Sequence, residues 1–322
     1  MSDTPKKNAT VTPIKAALDE APVVAGPTVD EDKPEKPFRV DPLDHWPDCP
    51  VKPLGVNGGT YFYLDALNQL IPLKRKEHGK LDVQSLFAPD SRKTWRYWPR
   101  YNKDAEVVGF KCEDASHDLM DSASLKGIFE PADRLRGRGC WRDDDGSLVM
   151  HTGDRIYVSS DLLSEPKKPG LINGYVYPGA PFAARPKPYK DGDPGRPLLD
   201  HLKKWFFRRP IDPYLLFGWI CASILGGALP WRPVIWITGD TSTGKSSLQK
   251  VINRVVGNIV RAGDATAASI WQNLGYQTLP VQLDELEASE DNRKVSRVVE
   301  LARVASSGDL ILRGGNDQIG VQ

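Results

Sequence analysis

Cysteine is scarce in this chain: four among 322 residues, Cys49, Cys112, Cys140 and Cys221, with no C-x-x-C pair. Their spacing suits neither a zinc site nor a disulfide framework, so reduced thiols in a cytoplasmic setting are expected. The five histidines are equally scattered, which argues against a metal cluster. Charge of one sign is also lacking: 43 basic and 42 acidic residues leave a formal +1. No global field announces a nucleic acid or a membrane, so any such partner must be met by local patches. Long apolar runs are missing too. The uncharged stretch over residues 214–229 falls short of the ~20 residues that span a bilayer. Pro230 closes it, so it reads as a buried helix and no membrane partner is expected. Residues 1–37 lack the apolar core of a secretory signal. They are rich in Lys, Pro, Asp and Glu, the composition of a disordered tail.

The chain does carry a phosphate-binding loop pattern, Gly239-Asp240-Thr241-Ser242-Thr243-Gly244-Lys245-Ser246, followed by Ser247. Each part has a task on a nucleoside triphosphate. The glycines let backbone N–H groups turn toward phosphate oxygens, Lys245 brings a point charge to the β- and γ-phosphates, and the Ser246 hydroxyl is a ligand for Mg²⁺. The flanks agree with that reading. Val234, Ile235, Trp236 and Ile237 form a continuous apolar run, which predicts a buried parallel strand. Leu248, Val251, Ile252, Val255 and Val256 then mark one apolar helix face, and Gly257 is placed to end it.

Hydrolysis needs an acidic pair on a second strand. Residues 279–285, Leu-Pro-Val-Gln-Leu-Asp-Glu, supply Asp284 to support Mg²⁺ and Glu285 to act as general base. Pro280 and Gln282 interrupt the apolar pattern and predict a short pairing. Between the motifs, residues 258–261 read as a strand and 265–274 as a helix. The alternation predicts a parallel sheet with helices on both faces.

Four regions follow: a disordered tail over 1–37, an α+β accessory domain over 38–163, a Pro/Gly-rich linker over 164–197, and the nucleotide-binding domain over 198–322. In the accessory domain, hairpins are predicted over residues 60–73 and 147–158, with a helix over 115–129 between them.

Residues 233–246, Asp284-Glu285 and residues 306–313 together resemble the superfamily-three helicase core of phage and plasmid primase–helicases. Residues 216–220 and 231–233 also resemble ATPases encoded by prophages and related elements. The resemblance covers roughly residues 198–322. It implies an α/β P-loop NTPase, AAA+-like, that binds ATP and Mg²⁺ and works as a homo-oligomer, a hexameric ring when complete. It further implies a hairpin over residues 309–316 that touches DNA, with Arg313 as its phosphate contact. The family's sensor asparagine and arginine finger have no counterpart before Gln322, so the chain is expected to be a piece of a longer protein.

A separate hint of single-stranded or forked DNA comes from residues 92–101, where Arg96 and Arg100 alternate with Trp and Tyr. Arg134, Arg136, Arg138 and Arg142 form a second basic cluster; for both clusters the competing reading is solvated charges beside core-facing aromatics. The function expected is an ATP-dependent helicase-type motor for replication of a phage, prophage or plasmid-like element. The alternative is a regulatory or defence ATPase in which nucleotide switches an interaction domain.

Overall fold

Asn57 and Thr60 close a two-residue turn whose central Gly58 and Gly59 have φ of 54° and 78°. Two successive positive-φ positions suit glycine, and the twist of such a turn matches that of the strands it joins. The strands are β1 (Lys52–Asn57) and β2 (Thr60–Leu64), and β2 pairs antiparallel with β3 (Leu70–Lys74). The computed structural model describes residues 40–161, 165–187, 192–262, 267–283 and 292–307. The tail predicted over 1–37 lies outside them.

Three helices, α1 (Lys80–Leu86), α2 (Lys93–Tyr97) and α3 (Cys112–Leu125), pack with this sheet. Ala115, Leu119 and Ala123 recur every fourth residue along α3 and form one buried stripe. They share a core with Tyr63, Val83, Leu86, Phe87, Tyr97, Trp98 and Phe110. Phe110 ends β5 (Val107–Phe110), which pairs antiparallel with β4 (Pro99–Tyr101).

His78 is buried beside this core. Its Nδ1 lies 3.1 Å from the Lys74 carbonyl and its Nε2 2.9 Å from the Tyr63 hydroxyl. A neutral ring with the proton on Nδ1 donates to the carbonyl and accepts from Tyr63, satisfying both. Burial pulls the His78 pKa below the ordinary 6.5, against smaller opposing effects of backbone carbonyls, Asp82 and Glu77. His151, buried between the Arg136 and Gly153 carbonyls, is lowered for the same reason. Below pH 6.5 the unfolded chain binds protons that the folded chain refuses. Stability is therefore complete above that pH and falls as pH drops through the folded values. Urea midpoints measured between pH 7.5 and 5 should decline, and the decline should flatten in a His78→Gln, His151→Gln variant.

A second antiparallel sheet, β6 (Gly139–Arg142), β7 (Leu148–His151) and β8 (Ile156–Val158), packs with the short hairpin β9 (Gly170–Ile172) and β10 (Tyr175–Tyr177). Here Arg136 is buried, with Nη1 3.0 Å from both Asp143 Oδ1 and the Tyr177 hydroxyl. Asn173 donates to the other Asp143 oxygen at 2.7 Å. The described residues from Asp41 onward cluster as one unit, and backbone hydrogen bonds from Gly137 to Tyr276 and from Thr278 to Arg138 tie early and late segments together. Gly137 makes that approach possible, since a Cβ there would stand 2.5 Å from the Tyr276 carbonyl oxygen.

The third core is helical: α4 (Arg196–Leu202), α5 (Asp212–Ile224) and α6 (Lys245–Val256) bury Leu202, Leu216, Ile220, Leu248, Ile252 and Val256 together. Beyond it come β11 (Val260–Ala262), α7 (Ala267–Leu274), β12 (Val281–Leu283) and α8 (Asn292–Ser307). No helix among the described residues is long and apolar enough to cross a membrane; α5, which overlaps the uncharged stretch, has 13 residues.

The expected α/β architecture, a parallel sheet with helices on both faces, is not what forms. Among the described residues the sheets are small and antiparallel, save one parallel pair, β11 with β12, three residues each. The strand predicted over 234–237 pairs with nothing described. Ile235 and Ile237 pack against the helical core, while Val234 and Trp236 are 47% and 57% exposed. A central parallel strand buries both faces, whereas this segment buries only one. An apolar run gives no sign of which of these two will occur.

Candidate nucleotide-binding site

Leu248, Ile252 and Val256 are spaced by four residues and hold α6 against α5, fixing the end of the helix that faces the loop. Gly244 is its N-cap at φ 88°, ψ 11°, and Ser242 also lies in the left-handed region at φ 66°. At position 244 the backbone angle would strain any side chain, which favours glycine. Residues 239–243 are exposed. Thr243 braces the loop, its hydroxyl donating to the Asp240 carbonyl at 2.8 Å. Thr241 is exposed between these braced positions.

Lys245, the first residue of α6, folds back over the loop. Its ammonium donates to the Gly239 carbonyl at 2.6 Å and to the Asp240 carbonyl at 2.8 Å. A cation here opposes the positive end of the helix dipole. The two carbonyls offset that mismatch, and an anion would reverse it by engaging the ammonium and the helix amides together. Among the described residues the amides of Gly244, Lys245 and Ser246 have no acceptor. Ser246 and Ser247 are exposed on the first turn, and the Trp205 indole Nε1 lies 3.5 Å from where a Cβ on Gly244 would stand.

Two further attachments position this region. The Trp219 indole donates to the Pro233 carbonyl at 2.9 Å. Arg232 donates through its amide to the Ser306 carbonyl at 2.8 Å and through Nη1 to that of Ala305 at 3.3 Å. A guanidinium at the C-terminal carbonyls of α8 suits that helix's dipole and ties its end to the chain approaching the loop.

Asp284, Glu285 and Arg313 lie outside the described residues, although Asp284 directly follows Leu283 at the end of β12. Of the two Mg²⁺ ligands expected, the structure places Ser246. Among the described residues no three carboxylate, imidazole or thiolate side chains gather as a metal site. The one hydroxyl of Ser246 would suit a cation held otherwise by phosphate oxygens and water, the usual habit of Mg²⁺ with nucleotides.

The basic and aromatic residues 92–101 divide. Arg96 is exposed and paired with Asp48 at 2.9 Å, and the exposed Arg100 lays its guanidinium over Gly109 of β5. Tyr97 and Trp98 are core residues, 3% and 4% exposed, and are closed to a stacking base. The second cluster is turned to internal bonds: Arg134 to the Gly174 carbonyl, Arg136 to Asp143, Arg138 to Gln277 and Arg142 to the Ala228 carbonyl. Sequence reading passed over residues 203–209, Lys-Lys-Trp-Phe-Phe-Arg-Arg. These set a block of three rings between two pairs of cations, and they adjoin the loop through Trp205.

No family model, curated protein or solved structure matches this chain.

Proposed function

We propose that residues 239–247 bind the triphosphate of ATP with Mg²⁺, and that the chain is a helicase-type ATPase for replication of a phage, prophage or plasmid-like element. The observation that carries the reading is the position of Lys245. Its ammonium is held within the loop at 2.6 and 2.8 Å from two carbonyls, beside helix amides without acceptors among the described residues. A triphosphate entering this loop takes the charge of Lys245 and the amides at once, and Ser246 adds a hydroxyl for the cation. Asp284 would support the metal and Glu285 would take the proton from the attacking water, as their place after β12 allows. The partner is single-stranded or forked DNA and the working form a homo-oligomer. Binding of the triphosphate itself is done by the loop and the first turn of α6 and does not require the large parallel sheet.

Steady-state ATP turnover of the intact protein, with and without single-stranded DNA, tests the motor half of the proposal. DNA is expected to raise turnover severalfold. Turnover indifferent to DNA would remove the motor and leave a nucleotide switch.

A further inference from the structure

Phe206 is fully exposed, with relative accessibility of 106%. A single exposed apolar residue is ordinary; its mounting and surroundings are not. The Phe207 amide donates to the Trp205 carbonyl at 3.0 Å, closing a three-residue turn with Phe206 at its apex. Trp205 and Phe207 on either side are partly buried against the helical core. The ring is thus held out in water by two anchored neighbours.

Charge surrounds it. Residues 203–209 contain Lys203, Lys204, Arg208 and Arg209 and no carboxylate. Lys203 lies 3.8 Å from Asp200 and Arg209 2.6 Å from Asp212. Lys204 and Arg208, two residues to each side of Phe206, are exposed and have no partner among the described residues. An aromatic ring between two unneutralised cations matches a base flanked by phosphates, since stacking needs a free π-face and the backbone needs positive charge. An apolar groove on a protein would match the ring and leave both charges without counterparts.

We propose that residues 203–209 form a contact for single-stranded nucleic acid, with Phe206 stacking on a base and Lys204 and Arg208 on adjacent phosphates. Its link to the motor rests on the ATP-binding reading above: Trp205, next to the platform in sequence, reaches Gly244 at the loop. A strand seated on Phe206 pulls on the residue that borders the nucleotide site.

Fluorescence anisotropy of the full chain with labelled oligodeoxythymidylate and oligouridylate tests this. Phe206→Ala should weaken binding about 5- to 150-fold, the range of one base–aromatic stack, and Phe206→Tyr should preserve it. Lys204→Ala with Arg208→Ala should lower the salt slope by about 1.4, from two phosphate contacts. A loss on either probe supports the contact, and the larger loss says whether DNA or RNA is preferred. Wild-type affinity in Phe206→Ala would overturn it, as would a loss confined to anionic vesicles. Binding of a fluorescent ATP analogue by the same variants, without nucleic acid, separates the two ideas. Failure of the wild type to bind it removes the loop reading and leaves the stacking contact standing.

Discussion

Lys245→Ala is expected to lower ATP turnover roughly 100- to 1,000-fold, the usual cost of removing one preorganised donor to developing charge. The loss should fall on binding as well as on the chemical step, because the ammonium serves bound and reacting phosphates alike. Stability should barely change. Among the described residues the side chain bonds to the Gly239 and Asp240 carbonyls, both on an exposed loop that water can reach. Lys245→Arg should not restore activity, since a planar guanidinium is not a compact point charge. Turnover and thermal midpoint measured on the same samples separate a lost site from a lost fold.

Arg136→Met is expected to destabilise the protein by about 3–5 kcal/mol, the usual cost of leaving one partner of a buried ion pair alone. The Asp143 side chain is only 3% exposed, and without Arg136 it keeps Asn173 as its side-chain donor. The guanidinium carbon also sits over the Tyr175 ring, 3.2 Å from its centroid, so that contact is lost with the charge. For a unit of this size the loss corresponds to a fall in Tm of roughly 6–20 °C. Arg136→Met combined with Asp143→Leu should recover much of the loss, since no charge is then stranded. A thermal double-mutant cycle reads this as a coupling energy, and a double variant as unstable as the summed singles would contradict the assignment.

Local signals in the sequence were legible where one element could carry them. The hairpins over 60–73 and 147–158 formed because alternation and turn residues act over a few positions. The helix read over 115–129 appears as α3, shifted toward Cys112. The helix after the loop followed from the spacing of Leu248, Ile252 and Val256, and Gly257 ends it at φ 73°. The sheet was not legible, because burial on one face or two depends on partners that a run such as 234–237 does not encode. The direction of the second arginine cluster was not legible for a related reason. Composition gives charge but not direction, and Arg136 turns inward because Asp143 and Tyr177 meet it there. Residues 203–209, like 92–101, combine basic and aromatic residues. Only exposure distinguishes Phe206 from Tyr97 and Trp98.

Calorimetric titration of the intact protein with ATP and Mg²⁺ tests the central claim, that this loop holds a nucleoside triphosphate. Saturable binding at one site per chain is expected, weakened when Mg²⁺ is withheld and lost in Lys245→Ala. Equal heats from the wild type and Lys245→Ala would contradict it.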